Sequence, residues 1–308
     1  MKPPPSVLTP DTSERWLDFF RNYRCIAMYT VDPGACALAE LFRPMLRALN
    51  IYGGWYAEGW TAKRHPDLKS VSRLLANLGQ GMTLLLGPQI KYARTHEMLE
   101  TARACKAGSI FVFDHWKNYA ESFRADLLPD TIVVPDSHGR RALLSAIGEQ
   151  HANRVVELPH VAVEAAALRI LSYPERERGM IAVLLDPTEA GDGLGYDWRT
   201  VISNLPSLLE RHAPQATVKI KPHPRQNPQE VAVWMESLAL PLDCFQLVGG
   251  DTERLIAAAD EVWGMTTIAL VAAHRAGKRI RSIQLGRNAA GQAAVSYTHL
   301  RAHETRED

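Results

Sequence analysis

Short runs of β-branched and apolar residues, each followed by a longer amphipathic stretch, recur along most of this chain. That alternation marks parallel strands joined by crossover helices, because parallel neighbours need a long connection. In the first half the pattern predicts strands over residues 25–30, 51–56, 82–86, 109–113, 131–134 and 154–158. Helical patterns fall between them, over 37–48, 91–105 and 140–149. The run Ser109-Ile110-Phe111-Val112-Phe113 lacks polar alternation, as a strand covered on both faces should.

A break follows at Ser172-Tyr173-Pro174-Glu175-Arg176-Glu177-Arg178-Gly179, where proline, glycine and a charge run coincide. It reads as a linker, although a solvated helix end has the same composition. The βα pattern then restarts, with strands predicted at 180–185, 217–221, 245–248, 261–263 and 280–284. Helices are predicted at 198–211, 228–238, 251–259 and 267–276. The expected architecture is α/β: two Rossmann-like αβα domains, over 1–172 and 173–294, with strand carboxyl ends lining a cleft between them.

Composition narrows the function classes. Hydrophobic residues make up 46% and charged residues 22%, which suits a packed globular protein. Thirty-five Lys and Arg against 34 Asp and Glu give a net charge of +1, which argues against a nucleic-acid partner. The cysteines, Cys25, Cys36, Cys105 and Cys244, are widely spaced and show no metal-ligand spacing. They read as incidental thiols of a reducing compartment. No apolar run approaches the roughly 20 residues that span a bilayer, and Met1-Lys2-Pro3-Pro4-Pro5 does not open a signal peptide. A cytoplasmic location is expected. The stretch Val295-Ser296-Tyr297-Thr298-His299-Leu300-Arg301-Ala302-His303-Glu304-Thr305 resembles a translated sequencing adapter. Residues 295–308 are accordingly expected to be a non-native tail on a truncated C-terminus, and the i, i+4 pair His299 and His303 is set aside.

Several loops at predicted strand ends carry more polarity than a turn requires. Lys219-Ile220-Lys221-Pro222-His223-Pro224-Arg225 presents a cation and an imidazole from a turn stiffened by two prolines. His223, Arg225 and Lys221 suit a pyrophosphate, although an exposed turn with an idle histidine is the plainer alternative. In Trp263-Gly264-Met265-Thr266-Thr267 a strand ends in glycine and a helix opens on paired threonines. Thr266 or Thr267 is an N-cap candidate, and free N–H groups there would bind an anion. Gly191-Asp192-Gly193-Leu194-Gly195 looks like a phosphate cradle but fits neither standard glycine spacing, so a flexible loop is preferred. No dinucleotide fingerprint follows the first strand, where Asp32-Pro33-Gly34 stands.

In the first half, Phe113-Asp114-His115-Trp116-Lys117-Asn118-Tyr119 places an Asp–His pair at a strand exit. Asp114 or His115 would serve as general base toward a hydroxyl; equally, Asp114 would cap a helix and His115 pack under Trp116. Pro135-Asp136-Ser137-His138 is explained by helix capping, and Leu158-Pro159-His160 is a weaker candidate still. Trp55, Tyr56 and Trp60 read either as a sugar-stacking wall or as core.

The order KPHPR, then Ala258-Ala259-Asp260-Glu261-Val262-Trp263-Gly264-Met265-Thr266-Thr267, then Ala276-Gly277-Lys278, resembles the donor half of GT-B-type glycosyltransferases. The similarity is to the group of CDP-glycerol glycerophosphotransferases, bacterial polysialyltransferases and UDP-N-acetylglucosamine 2-epimerases, and it covers roughly residues 180–286. It implies that His223, Thr266 and Thr267 contact nucleotide-linked phosphates, with Arg225 as a neighbour; the composition of the same two loops adds Lys221 and Gly264 to the expected phosphate site. The family's usual glutamate early in the next helix is missing from Leu270-Val271-Ala272-Ala273-His274. The expected activity is metal-independent, cofactor-free transfer from a nucleotide-sugar or nucleotide-polyol donor to a surface-polysaccharide acceptor. A nucleotide-sugar epimerase or hydrolase and a non-catalytic two-lobed binding protein are the alternatives. Peripheral membrane association and oligomeric state are left open.

Overall fold

The structure is a computed structural model and describes residues 8–88, 92–116, 119–189, 195–241, 243–283 and 285. Positions 191–194 of the glycine loop and the tail at 295–308 lie outside those residues.

The chain divides into two compact units between Glu164 and Ala165. The first opens with α1 (Pro10–Phe20), β1 (Ile26–Thr30), α2 (Pro33–Ala48), β2 (Tyr52–Ala57), α3 (Gly59–Arg64), β3 (Lys69–Ser70) and α4 (Val71–Asn77). It continues with β4 (Thr83–Leu86), α5 (Tyr92–Ala104), β5 (Gly108–Val112), α6 (Tyr119–Ser122), β6 (Thr131–Val134) and α7 (Ser137–Ile147). A 3-10 turn, Glu149–Arg154, leads into β7 (Val155–Glu157) and then α8 (Val161–Ser172), within which the units divide.

All seven strands pair in parallel, in the order β3-β2-β1-β4-β5-β6-β7. The order reverses between β1 and β4, and open α/β sheets bind ligands at the strand carboxyl ends beside such a reversal. Every residue of β1 is buried, as its apolar run requires. Beneath α1 and α2, Trp16, Phe20 and Phe42 are at most 1% exposed, with the Trp16 and Phe42 rings 4.5 Å apart. Burying each such side chain contributes about 1.5–3 kcal/mol. Trp55 and Tyr56 are also core, whereas Trp60 is 46% exposed, so the three form no wall.

The second unit comprises β8 (Met180–Leu184), α9 (Trp198–His212), β9 (Thr217–Lys221), α10 (Pro228–Ser237), β10 (Phe245–Leu247), α11 (Thr252–Ala258), β11 (Glu261–Gly264), α12 (Ile268–Arg275) and β12 (Arg279–Ser282). Its parallel sheet runs β10-β9-β8-β11-β12 and reverses between β8 and β11. Trp263, Val201, Ile202 and Ile220 lie in its core without exposed surface.

The charged stretch after α8 is bonded onto this unit. The Glu177 N–H donates to the Ala258 carbonyl, Arg176 to the Ala257 carbonyl at 2.7 Å, and Lys219 to the Glu177 carboxylate. Among the described residues, no helix is long and apolar enough to cross a membrane.

Candidate functional site

At the carboxyl edge of the first sheet, Asp114 follows β5 and leans on the first turn of α2. Its Oδ2 lies 1.8 Å from where a Cβ on Gly34 would stand, so glycine is needed there for the carboxylate to fit. Its Oδ1 is buried with no hydrogen-bond partner. The His115 Nε2 is 3.8 Å from it, too far for a hydrogen bond. Burial raises the Asp114 carboxyl above the usual carboxylate range; His115 and His160 pull it down, and Asp32 pushes it up.

His160, which follows β7, completes this cluster. The residue is 8% exposed, and its Nδ1 accepts the Val163 N–H at 3.3 Å. That bond leaves the proton of the neutral ring on Nε2, which is buried, and the Asp114 backbone acts on the ring as a hydrogen-bond partner. Burial lowers the His160 imidazole below its ordinary value, opposed by the nearby Asp114. Trp116 stacks on His160, with centroids 5.5 Å apart and planes at 22°, and its Nε1 donates to Asp136 at 2.7 Å. The other Asp136 oxygen caps α7 through the Gly139 N–H. His115 packs its ring near Phe113, at 5.9 Å, and Trp116 covers His160 instead. A carboxylate oxygen without a hydrogen-bond partner and a buried imidazole thus belong to one cluster.

The second sheet carries a different arrangement. Asp186, 6% exposed, stands just beyond β8, and its Oδ2 accepts both the Thr266 N–H at 2.7 Å and the Thr266 hydroxyl at 2.6 Å. Those two loops flank the reversal point. Thr267 is the N-cap of α12, accepting the Ala269 N–H at 3.3 Å. The capping role therefore falls to the second threonine, and the first is held by a carboxylate. Gly264 ends β11 in close packing: a Cβ there would lie 3.3 Å from both the Leu184 carbonyl and the Leu270 side chain.

After β9, the His223 N–H donates to the Gln226 side chain and the His223 Nδ1 accepts the Arg225 N–H at 3.1 Å. Its neutral ring, like that of His160, carries its proton on Nε2. Burial and then Arg225 lower the His223 imidazole, while Asp186 acts in the opposite sense, so the ring is neutral at neutral pH. Arg225 is exposed. Lys221 donates to the Gly250 carbonyl at 2.7 Å.

Asp186 thus links the two motifs read from the sequence, bonding Thr266 and sharing electrostatic influence with His223. Sequence reasoning passed over it, since an aspartate before Pro187 reads as an ordinary loop residue. His160 is equally inconspicuous in the sequence, because the residue it meets, Asp114, lies 46 positions earlier in the chain. A surface groove of about 350 Å³ bordered by Trp198, Arg199, Val233 and Trp234 includes none of these groups.

No family model matches this sequence, and no curated protein matches it. Solved structures do. A UDP-N-acetylglucosamine 2-epimerase from Neisseria meningitidis, bound to UDP-N-acetylglucosamine, aligns over 91% of this chain and 89% of its own, with 11% identity and a TM-score of 0.59. A candidate UDP-N-acetylglucosamine 2-epimerase from Listeria monocytogenes aligns over 85% and 79%, with 10% identity and a TM-score of 0.57. Both are GT-B-fold proteins, and the two parallel sheets described above give this chain that fold.

Proposed function

We propose that this protein uses a nucleotide-activated sugar or polyol phosphate and transfers the activated group to a hydroxyl of a surface-polysaccharide acceptor. The observation that carries this reading is the buried pair of a carboxylate and an imidazole in the first unit, Asp114 and His160. Asp114 Oδ1 can only accept a proton, and the His160 Nε2–H can only donate one. A hydroxyl satisfies both at once.

In the transfer, Asp114 takes the hydroxyl proton while the hydroxyl oxygen attacks the activated centre. The bond from that centre to the donor phosphate oxygen breaks, and the nucleotide leaves with its bonding electrons. His160 holds the attacking oxygen, and His115 balances charge beside the base. A positioned base contributes roughly 10²–10⁴-fold. In the second unit, the His223 Nε2–H, the Arg225 guanidinium and the N-terminal turn of α12 are suited to the developing phosphate charge. Thr266 and Gly264 support that loop from within, and Lys221 holds the neighbouring one. The chemistry is read as needing no metal at the phosphates.

A second reading is epimerisation or hydrolysis of a nucleotide sugar. The likeness to the Neisseria protein over 91% of this chain favours it, as does a second carboxylate, Asp32, beside Asp114. The test is incubation with a panel of nucleotide sugars and nucleotide polyols, with and without glycan acceptors, read by mass spectrometry. Transfer predicts nucleotide release that requires acceptor, together with a mass gain on the glycan. Acceptor-independent release or an isomerised donor would install the second reading, and binding without turnover would overturn both.

A further inference from the structure

Cys36, Glu40 and His65 are unused by the chemistry above, yet they meet in the first unit on the flank of α2. Cys36 and Glu40 are four residues apart on α2, which sets them on one face of the helix. His65 is the C-cap of α3. One ligand atom from each, the thiol sulfur, a carboxylate oxygen and an imidazole nitrogen, all lie within 4.8 Å of one another. We propose that these three side chains form a zinc-binding site, with a solvent molecule as fourth ligand.

The distances suit the ion. Tetrahedral zinc with Zn–N and Zn–O bonds of about 2.0–2.1 Å separates those two atoms by about 3.3 Å. His65 Nε2 and the Glu40 oxygen are 3.5 Å apart. A thiolate at about 2.3 Å would sit about 3.6 Å from each, so closure needs a shift of about 1 Å from the observed 4.8 Å limit.

The surroundings also suit it. Cys36 is 3% exposed, while the side chains of Glu40 and His65 are 54% and 28% exposed, so an ion can enter from the Glu40 side with the sulfur beneath it. Trp55, itself 3% exposed, lies against the His65 ring at 5.5 Å and fixes its aim. Thr61, fully buried in the same pocket, hydrogen-bonds the Cys36 side chain.

Without metal the thiol stays protonated at neutral pH, because burial and the Glu40 carboxylate push it up and outweigh the Thr61 hydrogen bond and Arg64, which pull it down. Binding replaces the thiol proton by the ion: one Zn²⁺ enters, one proton leaves Cys36, and the thiolate and carboxylate together offset the dication. The bound ion would staple the start of α2 to the end of α3, two residues from the Gly34 contact that seats Asp114.

The experiment titrates the full chain with Co²⁺ and then Zn²⁺. Co²⁺ bound to a thiolate absorbs in the near ultraviolet, which reports the sulfur directly. One equivalent should produce that band, Zn²⁺ should abolish it by displacement, and Zn²⁺ should raise the thermal midpoint. Cys36→Ser should remove the band, and His65→Ala should weaken cobalt binding about a hundredfold, the upper range for disturbing a metal site. Should either variant fail to fold, the half-exposed Glu40→Gln supplies the same test by weakened binding. A band that survives Cys36→Ser, or that is lost in His299→Gln/His303→Gln, would overturn the assignment, as would no band at one equivalent.

Discussion

At the carboxyl edge of the first sheet, Asp114 keeps a buried oxygen without a hydrogen-bond partner beside the buried His160 ring. At the same edge of the second sheet, Asp186 accepts two hydrogen bonds from Thr266, and Lys221 is anchored on Gly250. Both edges flank a reversal in strand order, yet the carboxylate of the first has an oxygen without a hydrogen-bond partner, and that of the second is bonded twice to Thr266. An unsatisfied buried group costs stability and is maintained by the rest of the fold. A bonded frame holds its loops in shape for a charged ligand before the ligand arrives. Under the proposed function, the first edge moves the proton and the second positions the ligand.

The comparison can be broken most decisively at Asp114. Asp114→Asn should lower turnover by roughly 10²–10⁴-fold and leave donor affinity unchanged, measured by single-turnover kinetics and calorimetry. It should also raise the thermal midpoint at neutral pH. Because the folded state raises the Asp114 carboxyl, that group stabilises the fold fully only below the unfolded carboxylate value of about 3.9 and less as pH climbs through the folded one. Asparagine, which stays neutral, escapes that loss. A slower variant that is also less stable would refute the picture of a strained base.

Asp186→Ala tests the other edge. It strands the Thr266 N–H and hydroxyl, and should cost about 2–3 kcal/mol in denaturant unfolding of the second unit. Unchanged stability would mean the frame is dispensable. His223→Ala should weaken nucleoside-diphosphate binding about tenfold by calorimetry, since one hydrogen bond to a charged group is lost. Thr267→Ala removes only the cap of α12 and should cost about 1 kcal/mol.

The smallest effect is a pH slope. The folded state lowers the His160 imidazole, so its contribution to stability is complete above about pH 6.5 and falls away as pH drops toward the folded value. Thermal midpoints between pH 5 and 8 should show that slope, and His160→Gln should flatten it.

The strands were legible because most are covered on both faces and so read as unbroken apolar runs, β1 and β8 most clearly. β3 was not, since its two residues, Lys69 and Ser70, are exposed and carry no pattern. The run Glu175-Arg176-Glu177-Arg178 reads as solvated by composition, yet its charges find backbone carbonyls and Lys219 across the chain. At the sites, the sequence exposed what each loop contains but not what it meets. Thr267 was recognisable as a cap from its neighbours alone, whereas Thr266 depends on Asp186, 80 positions away. Cys36 carries no metal signal in its spacing because only Glu40 shares its helix, and His65 caps a different one.

The fixed ring of His160 has a further consequence for selectivity. With Nδ1 committed to the Val163 N–H, the imidazole faces the cluster as a donor, and the Asp114 carboxylate faces it as an acceptor. Such a lock admits a guest in one orientation only, hydrogen toward Asp114 and lone pair toward His160. Alcohols meet that requirement. Ethers and ketones bring no hydrogen and leave the carboxylate unanswered, and ionised carboxylates are repelled by it. Under the proposed function, a single backbone N–H at the start of α8 would therefore sort acceptors by chemical class before any shape recognition begins.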